Sequence, residues 1–153
     1  MWRYRLATTL GLLLGFSPIL CHAQSSGDGA LAFQKNCAVC HRANGAGTAG
    51  LAPPINTNPG RFAQVSAGRQ QLIWTVLYGM YGDVTIDAKH YNFKMPNFAN
   101  TLSDSEIALV LNHVLDQLNH HNEFTPFTAT EVAAQRNLQL DGATVLKHRA
   151  TLP

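Results

Sequence analysis

Five consecutive residues, Cys37-Ala38-Val39-Cys40-His41, combine types and spacing that can do one specific piece of chemistry. Two thiols three positions apart, followed at once by an imidazole, form the pattern that attaches a c-type haem. Each sulfur adds to one vinyl group of the porphyrin, and the histidine is placed under the ring to ligate iron. A short turn is enough to bring both sulfurs and the imidazole to one side of a planar macrocycle. A CxxC pair has two other uses. A zinc ribbon needs a second pair, and this chain has three cysteines, of which Cys21 lies in a segment read below as removed. A thioredoxin-like pair follows a strand and opens a helix, and no such pattern surrounds Cys37.

A second axial ligand has few candidates. Beyond Met1 the methionines are Met80 and Met95. Met80 continues an apolar helical face, where core packing explains it. Met95 has no such face. Pro96 restrains it to extended geometry, which suits a loop presenting sulfur to iron, the other reading being an exposed loop methionine. Among seven histidines, His90 is the nearest substitute, whereas His113, His120, His121 and His148 read as surface or helix-end residues.

The elements that must position these groups are helical. A first helix begins near Asp28-Gly29 and delivers the attachment motif at its end. Asn44 to Gly60 is too rich in Gly and Pro to be regular for long. A second helix runs from Ser66, with Leu72, Ile73, Val76, Leu77 and Met80 on one face and Gly79 and Gly82 ending it. Asp83 to Asn100 reads as a loop with room for a short hairpin around Val84-Thr85-Ile86 and Tyr91. A third helix is capped by Ser103 with Glu106 as its reciprocal partner. Its stripe runs through Ile107, Val110, Leu111, Val114, Leu115 and Leu118. Beyond Asn119 the character changes: Thr128 with Glu131, and Asp141, cap two segments too short to fold alone. These are expected to lie against the core or a partner, and their position beyond the last motif suggests a docking element.

The chain opens with Arg3 and Arg5, an apolar run from Leu6 to Leu20, and Cys21-His22-Ala23. This reads as a secretory signal over 1–23, giving a mature start at Gln24 and a periplasmic location. The alternative is membrane anchoring, including lipidation at Cys21, but the apolar run is short for a span and Ser17-Pro18 interrupts it. No membrane span is expected after cleavage. Beyond residue 23, nine basic residues balance nine acidic ones. That balance excludes the basic patch of a nucleic-acid binder and gives no strong long-range steering.

The ordered motifs resemble the class I c-type cytochromes, especially bacterial mono-haem domains of oxidase and dehydrogenase subunits. They are Gly29 and Phe33 before Cys37-x-x-Cys40-His41, then Leu51-Ala52-Pro53-Pro54, Leu77-Tyr78-Gly79-Met80, Tyr91 to Pro96, and Leu102 to Ile107. The resemblance covers about residues 27–119. It implies an all-α fold, a small helical bundle around one covalent haem c, with 24–119 as the cytochrome domain; residues 120–153 lie outside the common pattern, and their capped segments mark them as a short helical C-terminal extension. It implies that the helix carrying Gly29 and Phe33 crosses the one carrying Val110, Leu111 and Val114. It assigns His41 and Met95 as axial iron ligands, and it gives the carbonyl of Pro54 to the free ring nitrogen of His41. Trp74, Tyr78 and Tyr91 are candidates for porphyrin contact or for core packing, and Arg61 and Arg69 for propionate pairing or for solvation. The function implied is one-electron transfer between redox proteins (a dehydrogenase, oxidase or reductase), without catalysis. A tightly bound subunit of such a complex, or a haem enzyme or sensor with an open sixth site, are the alternatives.

Overall fold

A computed structural model describes residues 26–121 and 123–152. The leader and Cys21 lie outside the described residues. Seven helices and one hairpin follow in chain order: α1 (Ser26–Asn36), α2 (Ala38–His41), α3 (Pro59–Phe62), α4 (Ser66–Tyr78), β1 (Met80–Ile86), β2 (Lys89–Met95), α5 (Asp104–His113), α6 (Ala129–Ala133) and α7 (Gly142–Arg149). Among these residues no helix is long and apolar enough to cross a membrane.

α1 and α5 cross as the resemblance implies. A Cβ on Gly29 would stand 2.5 Å from the Leu109 carbonyl oxygen, so only glycine lets the two backbones approach this closely. Phe33 is fully buried at the crossing, beside Val110 and Val114. The capping box of α5 is complete: the Ser103 backbone N–H donates to Glu106, and the Glu106 N–H donates to Ser103 Oγ. The helix then widens into a π turn over Val114–Leu118, closed by the Asn119 N–H on the Val114 carbonyl at 2.9 Å.

The fold is helical, as expected, but it also carries a two-stranded sheet. Residues expected to be mainly loop pair as a full antiparallel hairpin, with Met80 opposite Met95 and Ile86 opposite Lys89. Met80, Ile86, Tyr91 and Phe93 point inward, while Tyr81, Asp83, Thr85 and Asn92 face solvent. Met80 is therefore a strand residue, not the last position of a helical stripe. α4 ends at Tyr78 because Gly79 takes φ 74°, and a Cβ there would meet the Met95 carbonyl oxygen at 2.4 Å.

The segment after Asn119 packs against the core, one of the two places expected for it. Val132 and Val145 are fully buried and Phe127 nearly so. Phe127 and Val132 share the α4–α5 core, and Val145 shares the hairpin core. Polar contacts fasten the same segment. Arg69 donates to both carboxylate oxygens of Glu131 at 2.8 and 2.7 Å. Arg136 donates to Asp104 at 2.6 Å and to the carbonyls of Ala99 and Leu102. The capping residues named from sequence hold: Thr128 accepts from the Glu131 N–H and Asp141 from the Thr144 N–H.

Candidate haem site

The turn carrying the thiols is held almost entirely by its own neighbours. The Cys37 N–H bonds the Phe33 carbonyl and the His41 N–H bonds the Cys37 carbonyl, so the motif closes as one helical turn on the end of α1. Thr48 Oγ1 donates to the Cys40 carbonyl at 2.9 Å, and the Gly47 N–H to the His41 carbonyl at 3.0 Å. Both cysteines are free. Burial, with the neighbouring Cys40 adding to it, pushes the Cys37 thiol up to about 11. The free thiol therefore stays protonated at neutral pH.

His41 is buried, and its Nδ1 donates to the carbonyl of Pro53 at 3.1 Å. The acceptor is Pro53, not Pro54. The peptide between the two prolines has no N–H, so this carbonyl is its sole polar group, and Pro53 is buried where the ring can reach it. Burial lowers the His41 pKa, the Pro53 bond opposing this in part. The ring is thus neutral with its hydrogen on Nδ1, and the lone pair on Nε2 is free for a metal.

His41, Cys37 and Cys40 line a predominantly apolar cleft enclosing about 1130 Å³ of empty space, counted out to its open mouth. Its lining also draws on α1, the stretch from Leu51 to Pro59, α4, α5 and the base of the hairpin, the last with Met80, Phe93 and Met95. The segment after Met95 is tied down by N–H bonds from Phe98 and Ala99 to the Val76 and Leu77 carbonyls. Those carbonyls, at the end of α4, have no partner within the helix.

Several candidates fall outside the cleft. Trp74 Nε1 donates to Gln135 at 2.8 Å, the Tyr78 hydroxyl bonds the Gln135 carbonyl, and Tyr91 is buried in the hairpin core, so packing claims all three. Arg69 is committed to Glu131, and Arg61 lies over Phe62. His90 is exposed beside Asp83. His113 sits at a helix end as read, but its Nδ1 is buried and its ring packs on Phe33. Sequence reasoning passed over Asn119, which accepts from the Gly60 N–H and donates to the Ile55 carbonyl, bracing the loop that closes the cleft. It also passed over Gln71, which is buried and donates to the Met80 sulfur at 3.8 Å. Neither carries a local motif.

Paired thiols, a neutral histidine with a free Nε2, and an apolar cleft bearing a thioether fit a covalently held haem, and define a helical haem-binding protein. Known proteins agree. A family profile described as Cytochrome c matches residues 26–117. A cytochrome c-552 of Thermus thermophilus is 37% identical over 133 residues, covering 85% of this chain and 88% of that protein. A second cytochrome c-552 of Thermus thermophilus is 38% identical over 128 residues, covering 82% of this chain and 96% of that one. The chain belongs to the cytochrome c family: it is a class I c-type cytochrome, and it binds haem c with its iron covalently. Its general role is that of a haem electron carrier.

Proposed function

We propose that the chain is an exported one-electron carrier whose iron is held by His41 and Met95, passing electrons between a redox donor and an acceptor of the dehydrogenase, oxidase or reductase classes. The observation that carries this is the pairing, in one apolar cleft, of a His41 ring whose Nδ1 is committed to Pro53 with a half-buried methionine on a clamped segment. The haem supplies the redox chemistry. The chain holds it covalently through Cys37 and Cys40, keeps the imidazole neutral and oriented, and shields the ring from water. A thioether ligand raises the reduction potential relative to two imidazoles and leaves no open position for substrate, as a carrier rather than an enzyme requires.

Exposed apolar side chains at the cleft edge give a partner something to cover. Val39 is 82% exposed and Leu51 54% exposed, and both line the cleft. With nine basic residues set against nine acidic ones beyond the leader, short-range apolar contact is the recognition such a surface offers. The test is the ferric spectrum of the purified haem-loaded protein. A charge-transfer band at the red edge reports iron–thioether ligation, and it should vanish in Met95→Ala, whose ferrous form should bind carbon monoxide. Absence of the band in the unmodified protein would move the reading to an open-site enzyme or sensor. Export is tested by the N-terminus of the mature protein, expected at Gln24 in the periplasmic fraction.

A further inference from the structure

We propose that Gln71 decides which of two methionine sulfurs the iron takes, and that the C-terminal helix holds Gln71 to this role through His148. The inference rests on the reading of Met95 as ligand. Met80 and Met95 are directly opposite across the hairpin, on the same face, and both line the cleft. Paired strand residues lie about 4.5–5.5 Å apart at Cα, so two chemically equivalent thioethers share one rung of the ladder. Iron bonded to the porphyrin and to His41 has room for one of them. Something other than ligand chemistry must select.

The asymmetry is in the hydrogen bonding. Gln71 Nε2 donates to the Met80 sulfur at 3.8 Å, whereas among the described residues the Met95 sulfur receives no such donor. Gln71 is only 2% exposed. Burying an amide is costly unless its polar atoms are matched, and here each is. The Thr75 hydroxyl gives its hydrogen to the Gln71 backbone carbonyl at 2.8 Å, leaving lone pairs to accept from Gln71 Nε2 at 3.1 Å. A thioether sulfur can only accept. The amide nitrogen must therefore face Thr75 and Met80, and Oε1 must face away from them.

Oε1 meets His148 Nδ1 at 2.7 Å, and that nitrogen must carry a hydrogen. His148 lies on α7 and packs on Trp74, ring centroids 4.7 Å apart, while Trp74 is itself fixed by Gln135. The C-terminal segment thus determines which way the Gln71 amide points. An N–H···S bond is weak and takes only one of the sulfur's two lone pairs, but it is directional, and it fixes the orientation in which the Met80 thioether presents the other. Packing of Met80 in the hairpin core with Tyr91, Phe93 and Val145 fixes the rest of the side chain. Because the two sulfurs are equivalent as ligands, a modest bias against one sets the outcome.

The experiment uses the haem-loaded full chain and reads the ferric thioether band together with carbon monoxide binding by the ferrous form. Met95→Ala should lose the band and bind carbon monoxide, because Gln71 still withholds Met80. Adding Gln71→Leu should bring the band back and suppress carbon monoxide binding, and adding Met80→Ala to that pair should abolish the band again. Met95→Ala with His148→Phe, which keeps an aromatic ring beside Trp74, should restore the band in part. This arm decides the matter if the Gln71 variant does not fold. The inference is overturned if Met95→Ala alone keeps the full band, or if neither double variant recovers it while retaining haem. A band missing from the unmodified protein, or one that Met80→Ala removes and Met95→Ala does not, would instead overturn the Met95 reading beneath it.

Discussion

The thiol side and the methionine side of the haem cleft are built on different scales. Around Cys37, Cys40 and His41 the supporting bonds come from Phe33, Gly47, Thr48 and Pro53, all within twelve residues of the group they hold. Around Met80 and Met95 much of the support is distant. Gln71 reaches Met80 from nine residues away, but Gly79 abuts the carbonyl of Met95 from the other strand's approach, and the C-terminal segment enters through Val145 and His148. The thiol side is a local structure that a short peptide goes far to specify. The methionine side exists once the whole chain has packed. Covalent attachment and thioether ligation should therefore respond separately to mutation, and the most informative variants are those that lose one and keep the other.

The largest effect is expected on the thiol side. Cys37→Ala with Cys40→Ala removes both attachment points, and haem should no longer stay with the chain in denaturing electrophoresis. A core this small depends on the macrocycle for apolar surface, so the product should also fold poorly. Full haem retention by the double variant would refute the assignment of the motif.

Truncation after Asn119 comes next and separates the two sides. It strips Phe127, Val132 and Val145 from the cores, and full burial of such side chains contributes about 1.5–3 kcal/mol each, against a domain stability of about 5–15 kcal/mol. Covalent haem should remain while the thioether band is lost and the thermal midpoint falls steeply. An unchanged spectrum would restore the C-terminal segment to the status of an accessory docking element.

Gly79→Ala should be milder and confined to the methionine side. A Cβ there must fit φ 74° and clear the Met95 carbonyl oxygen, which lies 2.4 Å from where it would stand. Alanine at positive φ costs more than about 1 kcal/mol, and displacement of Met95 should weaken the band with haem attachment intact. An unaltered band would show that the strand absorbs the shift without moving the sulfur.

The same division of scale explains what the sequence made legible. The attachment motif, the Ser103–Glu106 box, and the Thr128 and Asp141 caps were readable because each is a pattern within a few residues. The α1–α5 crossing was readable because the resemblance places Gly29 and Phe33 against the stripe on α5. Met80 was misplaced because positions 72, 73, 76, 77 and 80 continue a helical stripe, and nothing in that spacing reveals that Gly79 turns the chain into a strand. The full hairpin was hidden because its turn, Asp87-Ala88, takes φ 51° and 60° without the glycine that usually marks such a turn. Pro54 was named in place of Pro53 because adjacent prolines look alike until the loop's path is known. The C-terminal segment was expected to lie against the core or a partner, but which residues hold it was hidden because its partners, Arg69, Asn112, Trp74 and Gln71, are remote in sequence and carry no local signature.

The smallest expected effect tests whether the thiol side, local in its bonds, is also sensitive to the helix that crosses beneath it. His113 ends α5, packs on Phe33 at 5.3 Å between ring centroids, and has a buried Nδ1 without a partner among the described residues. Burial lowers its pKa from 6.5, with Asp116 opposing in part. The folded protein thus keeps His113 neutral at a pH where the unfolded chain has begun to bind a proton. Unfolding takes up protons in that window, so stability falls as pH drops below about 6.5. The slope disappears once pH lies below the folded-state value, and stability is unaffected by this group well above 6.5. Partial exposure of the ring and solvent screening keep the effect small. Urea midpoints of the haem-loaded protein at pH 7.5 and 5.0 measure it when the unmodified chain is compared with His113→Gln, because other titrating groups, His41 included, cancel in the difference. The unmodified chain should lose more stability between the two pH values than the variant. Equal losses would mean that the buried nitrogen finds a partner on protonation, and that the crossing beneath the thiol side is indifferent to acid.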